Sequence, residues 1–217
     1  MVPNRIARVA TLAAALAFAF AFAPRTARAG PAPAAAVIER FHATLLEVMK
    51  NAQRLGVEGR RAKLEPVMAE TYDFPAMAQR SLGPAWSKLD AAQRTRFEQV
   101  FRGLILRTYA TRFDGYTSER FELRGTEASI AGTEIVRTAL HSPKQIVQLD
   151  YRMRETPAGW RVIDVYLGGT VSELALRRAE YTSVLERDGF DALVSGLEKK
   201  VAEGPESVPA NSDSRLK

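Results

Sequence analysis

The chain contains no cysteine among its 217 residues. That excludes disulfides, thiolate metal sites, thiol nucleophiles and a lipid anchor attached through cysteine. Histidine is almost as scarce, with only His42 and His141. They are not at i, i+4 spacing and neither has a carboxylate at ligand spacing, so neither a zinc site nor a Ser-His-Asp triad assembles from local sequence. No phosphate-binding Gly-rich motif or dinucleotide fingerprint is present. A strong excess of charge is also missing. Four arginines (Arg5, Arg8, Arg25 and Arg28) fall within the first 29 residues, and the body beyond them carries a formal charge of only +2. A cationic nucleic-acid binder should show a basic stripe or patch instead. Long apolar runs are absent after the N-terminus, so no later segment reaches the ~20 residues that span a bilayer.

What the N-terminus does contain is an export pattern. Arg5 and Arg8 precede Val9–Ala23, an apolar run interrupted only by Thr11, and Ala27-Arg28-Ala29 supplies small residues for a signal peptidase. The expectation is a cleaved signal peptide over residues 1–29 and a mature protein in the periplasm. Apolar residues make up 46% of the chain, enough to bury a core, so disorder of the body is excluded. Residues 30–203 are expected to form one domain, followed by a polar, aperiodic tail over 204–217.

The periodicity changes twice along that domain. Val37, Ile38, Phe41, Leu45, Val48, Met49, Ala52 and Leu55 recur at helical spacing, with Gly56 and Gly59 as stops. Arg60–Thr71 reads as a second helix, short or kinked at Pro66. Asp73-Phe74-Pro75 opens a third, and Pro84-Ala85-Trp86 is a bend. Asp90 and Gln93 form a capping box for the longest helix, which ends at Asp114-Gly115. The helical part thus covers 34–116. Over 119–167 the period is two, with strands around Phe121, Ile135–Leu140, Gln145–Arg154 and Trp160–Leu167. Gly168-Gly169 ends the last strand, and Thr170-Val171-Ser172-Glu173 reads as a second capping box. Helices fill 170–203, divided at Asp188-Gly189. Strands joined by short turns make an antiparallel meander, so the predicted class is α+β: a curved sheet with N- and C-terminal helices packed over it.

Two polar residues interrupt apolar patterns. Asp164 lies within Val162-Ile163-Asp164-Val165, and Arg178 falls on the apolar stripe between Leu174 and Tyr181. A buried carboxylate needs a partner, so a structural ion pair between them is expected. The sharper alternatives are a catalytic acid at Asp164 and an anion site at Arg178. The broad apolar faces also allow a cavity between helices and sheet. Its expected wall is Val136, Thr138, Leu140, Val147, Leu149, Tyr151, Ile163, Val165 and Leu167 from the strands, opposed by Leu104, Ile105 and Tyr109 from the long helix.

These residues resemble a known family. Asp73-Phe74-Pro75, Leu82-Gly83, Trp86, and the stretch from Gln93 through Phe97 and Phe101 to Tyr109 are similar to the toluene-tolerance, MlaC-type lipid carriers. So are Gly159-Trp160-Arg161-Val162-Ile163-Asp164-Val165, the set Ser172, Arg178 and Tyr181, then Gly189-Phe190-Asp191 and Leu197. Thr170 departs from the family's usual glycine before Val-Ser. Details around Leu55-Gly56, Gly59-Arg60 and Ser172–Glu180 look more like the hopanoid-associated HpnM branch. The resemblance implies an NTF2-like sheet enclosing an apolar pocket. It implies a non-enzymatic periplasmic carrier of phospholipid or hopanoid cargo, without cofactor, metal or nucleic acid, monomeric. Its implied partners are an inner-membrane ABC transporter complex and an outer-membrane lipoprotein complex. Candidate docking residues at the mouth are Arg177, Arg178 and the loop near Gly168, where a helix N-terminus can meet a phosphate. Two rivals stand beside it: an NTF2-like enzyme using Asp164 as a base, and a ligand-free interaction module.

Overall fold

The structure is a computed structural model that describes residues 33–203; the signal-peptide and tail assignments lie outside these residues. Helix α1 (Pro33–Lys50) buries Ile38, Phe41, Leu45 and Val48, as its apolar spacing requires. Helical hydrogen bonding continues through Asn51, whose carbonyl accepts from Leu55 at 3.0 Å. The chain departs from helical geometry at Gly56, within α2 (Ala52–Thr71). The expected break is therefore at the glycine and not at Pro66, which costs one backbone donor but leaves helical dihedrals intact.

Helix α3 (Phe74–Leu82) is capped by Asp73, which accepts from the Ala76 amide at 3.1 Å, with Pro75 in its first turn. A 3-10 turn over Gly83–Lys88 leads to α4 (Ala91–Arg112). Asp90 and Gln93 form its capping box through reciprocal bonds of 2.8 and 3.0 Å. That box fixes where the helix starts, and hence which side chains share a face.

Five strands follow: β1 (Arg120–Ala128), β2 (Thr133–His141), β3 (Ile146–Thr156), β4 (Gly159–Leu167) and the two-residue β5 (Val171–Ser172). Each pairs antiparallel with the next, giving an open meander in sequence order. Strand β1 is one edge. It is bulged at Arg124 and carries Arg120, Glu122 and Glu127. Helix α5 (Glu173–Glu203) closes the domain and breaks at Gly189. The helices cover one sheet face, on which Val136, Tyr151, Met153 and Val162 are fully buried.

A second bulge corrects the expected wall. Between Arg152 and Met153 the β3–β4 register slips, so that Arg152 faces Asp164 while Met153 faces Val162. Ile163 is left without a partner. Every side chain before it changes face relative to a regular strand, so Val162 takes the helix-facing position expected for Ile163, which stays fully buried.

The second capping box is also corrected. Ser172, not Thr170, caps α5, accepting from the Ala175 amide at 3.0 Å. Glycine is demanded just before it. The Gly169 φ of +77° disfavours other residues, and a side chain there would begin 2.6 Å from Gln148.

Candidate functional site

The core face of the sheet is not filled along its whole length. Toward one end lies a cavity of about 340 Å³, within the range of about 300–1,000 Å³ typical of small-molecule sites. Its floor is Leu140 of β2, Val147 and Leu149 of β3, and Val165 and Leu167 of β4. The pairings Leu140–Val147 and Leu149–Leu167 place them side by side on one face. Its roof is Ile105, Thr108, Tyr109 and Arg112 of α4, with Phe113 at the C-cap of that helix. These positions follow the 3,4 spacing of one helical face. Tyr72 and Met77 close one side, and Glu173, Leu174 and Arg177 of α5 another. Gln145 and Arg112 are exposed and mark the mouth. A second cavity of about 320 Å³ adjoins it and shares Arg112, Phe113, Leu140, Gln145 and Val147.

Seven of the residues expected on the wall line this cavity: Ile105, Tyr109, Leu140, Val147, Leu149, Val165 and Leu167. Five do not. Ile163 is displaced by the bulge. Leu104 is one helical step from Ile105 and is buried in the core. Val136, Thr138 and Tyr151 share the strand face but lie farther along it, where the core is closed. The Tyr151 hydroxyl bonds His42 Nε2 at 3.0 Å, and Phe41 packs edge-on against its ring. Thr138 donates its hydroxyl to the Leu149 carbonyl.

His42 is a core residue. It stacks on Phe121 with ring centroids 3.9 Å apart, and burial lowers its pKa to about 3. At the inner end of the cavity the Tyr72 and Tyr109 hydroxyls bond each other at 2.6 Å. Burial raises both pKa values, Tyr109 to about 12, so both are neutral hydroxyls at ordinary pH.

The expected Asp164–Arg178 ion pair does not form. Asp164 accepts from the Ser172 hydroxyl at 2.6 Å and from the amides of Val165 at 2.8 Å and Leu174 at 3.3 Å. Its partners are a hydroxyl, the next amide of its own strand and one of the first amides of α5, which satisfy a carboxylate without a cation. Arg178 donates from Nε and Nη2 to the Arg80 carbonyl, at 2.8 and 2.6 Å, and so satisfies the C-terminal end of α3. Gly83 makes room for it, since a Cβ there would sit 3.1 Å from Arg178 Nε. Asp164 does not line the cavity.

Sequence reasoning missed Tyr72, Met77, Thr108, Arg112, Phe113, Gln145, Glu173 and Leu174 as wall residues. Thr108, Arg112 and Phe113 were findable, because they continue the Ile105–Tyr109 face by one turn. Tyr72, Met77 and Gln145 carry no local signal, since their aim depends on how distant segments pack. Among the described residues no group of three or more His, Asp or Glu side chains is placed to hold a metal ion.

The sequence profile of the MlaC protein family matches residues 39–199. The chain belongs to the MlaC family. Among solved structures, this MlaC-family chain is similar to a phospholipid-binding protein from Ralstonia solanacearum solved in complex with a phospholipid. The TM-score is 0.71 at 22% identity, over 79% of this chain and 98% of that one. At that identity the likeness establishes a shared fold. No curated protein sequence matches. The MlaC profile supports the family and does not distinguish an HpnM branch within it.

Proposed function

We propose that this protein is a non-enzymatic lipid carrier, exported to the periplasm by cleavage of residues 1–29, that moves phospholipid or hopanoid-type cargo between inner and outer membranes. The observation that carries the reading is the apolar cavity between α4 and the open end of the sheet, in a chain of the MlaC family. A related fold that holds a phospholipid adds support. An acyl chain cannot cross water unaided, because each methylene buried is worth ~0.8 kcal/mol. Leu140, Val147, Leu149, Val165 and Leu167 offer a chain an apolar floor, and the tyrosine pair at the inner end is uncharged. The residue an enzyme would use, Asp164, stands off the wall with its oxygens occupied.

In this reading the protein needs no cofactor. It acts as a monomer and exchanges cargo by docking with an inner-membrane ABC transporter complex and an outer-membrane lipoprotein complex. Among the described residues no helix is long and apolar enough to cross a membrane. The test is native mass spectrometry of protein purified from bacteria without detergent, followed by lipid extraction. A lipid-sized mass increment and a chemically unchanged lipid are expected. Empty protein, or a lipid converted to a new product, would sink the carrier reading.

A further inference from the structure

A cavity that holds only hydrocarbon has no use for a free hydroxyl in its wall. Three hydroxyl-bearing side chains line this one, Tyr72, Thr108 and Tyr109. Thr108 is spent within its own helix, donating to the Leu104 carbonyl at 2.8 Å. Among the described residues Tyr72 and Tyr109 bond only each other, at 2.6 Å. One bond between two hydroxyls uses one of their two hydrogens, so whichever ring donates, the other keeps an O–H with no acceptor. The aliphatic side chains of Ile105, Leu149, Val165 and Leu174 on the same wall offer it nothing. A buried donor is costly to leave unmade, and two phenylalanines would present the same rings to hydrocarbon without that cost.

The pair is held from behind by both segments that supply it. Tyr72 is the C-cap of α2, and its amide donates to the Met68 carbonyl at 2.8 Å. The next amide, that of Asp73, donates to Val162 of β4 at 2.9 Å. The Tyr72 ring stacks on Phe74 and the Tyr109 ring on Phe113, with centroids 5.6 and 5.5 Å apart. Phe41 packs edge-on against both. Burial keeps both hydroxyls protonated, so the spare hydrogen is present at ordinary pH.

We propose that the Tyr72–Tyr109 pair is a hydrogen-bond donor seat inside the cavity, which takes an acceptor oxygen carried on the buried part of the lipid cargo. A hydroxyl that accepts one hydrogen bond is polarised into a stronger donor for the next, which is what the pairing supplies. The seat is uncharged and suits a neutral oxygen. Two lipid oxygens have that chemistry: the carbonyl of an ester-linked chain, and a hydroxyl at the far end of a chain. This inference rests on the carrier reading and adds a selectivity to it.

The test offers the full chain phosphatidylcholine vesicles in two competitions. The first sets ester-linked dihexadecanoyl lipid against its ether-linked dihexadecyl counterpart. The second sets the dihexadecanoyl lipid against one with a hydroxyl at the end of its second chain. The protein is recovered, and the bound lipids are extracted and counted. Wild type should enrich the oxygen-bearing member about tenfold relative to the vesicle in at least one competition, and the one that responds identifies the oxygen. Tyr72→Phe with Tyr109→Phe keeps both rings. It should erase the preference while total lipid per protein stays within about twofold. Should that variant melt early, wild type decides alone. Equal uptake by wild type in both competitions overturns the seat and leaves the spare hydrogen to water. A preference that the double variant keeps overturns it too. A chain that loads none of the lipids shows a different failure, that of the carrier reading, and the seat falls with it.

Discussion

The two ends of the sheet's core face have the same alternating apolar pattern and opposite fates. Toward Val136, Tyr151, Met153 and Val162 every side chain is fully buried and the space is filled. Toward Leu140, Val147 and Leu167 the side chains are only half-buried, and a cavity stands over them. The difference comes from what lies opposite. At the filled end α1 brings Phe41 and His42 against Tyr151. At the open end α4 and its C-cap bring Tyr109, Arg112 and Phe113, and α5 brings Leu174 and Arg177. Strand composition makes both ends apolar, and helix position alone decides which becomes core and which becomes pocket.

Three changes would break or sharpen that contrast. The largest effect is expected at the filled end. Tyr151→Ala removes a ring packed against Phe41 and leaves His42 without its hydroxyl partner, at a cost of about 3–5 kcal/mol. Chemical denaturation measures it, and a loss below about 1 kcal/mol would mean that this end is not closed. Acid gives the next effect. His42 titrates near 3 in the fold and near 6.5 when unfolded, so the unfolded chain binds the extra proton between those values. Its contribution is present above pH 6.5 and is lost as pH falls, by about 1.4 kcal/mol per unit down to about pH 3. Wild type and His42→Phe should therefore diverge in melting temperature across that window, with the variant flatter.

The smallest effect on stability belongs to the open end. Val147→Trp should change stability by less than about 1 kcal/mol, because the added ring enters empty space, whereas overpacking a filled core costs about 1–3 kcal/mol. The same substitution should lower the lipid recovered with the protein. A stable variant with a full lipid load would move the cargo out of this cavity.

The elements were legible in the sequence wherever their cause is local. The capping box at Asp90, the breaks at Gly56 and Gly189, and the strand meander each depend on neighbours within a few residues. The face of α4 was half legible: Ile105 and Tyr109 were expected on the wall, while Arg112 and Phe113 on the same stripe were not. What failed depends on pairing across distance. Ile163 reads as a wall residue until the β3–β4 bulge, invisible in either strand alone, turns Val162 toward the helices and leaves Ile163 buried off the cavity. Asp164 and Arg178 look like mutual partners because both are polar in apolar surroundings. Their real partners include backbone groups, which every sequence offers at every position. For Arg178 that group is a carbonyl 98 residues away.

The edge strand β1 has a consequence for behaviour at high concentration. An open sheet edge displays unpaired amides and carbonyls, on which a second copy of the same chain can add a strand and begin an aggregate. The bulge at Arg124 interrupts that row and bends it. Any copy stacking there would have to strip water from Arg120, Glu122, Arg124 and Glu127. A sheet left open is thereby kept from recruiting its own kind, so the colloidal safety of the protein rests on a strand that contributes nothing to the cavity wall.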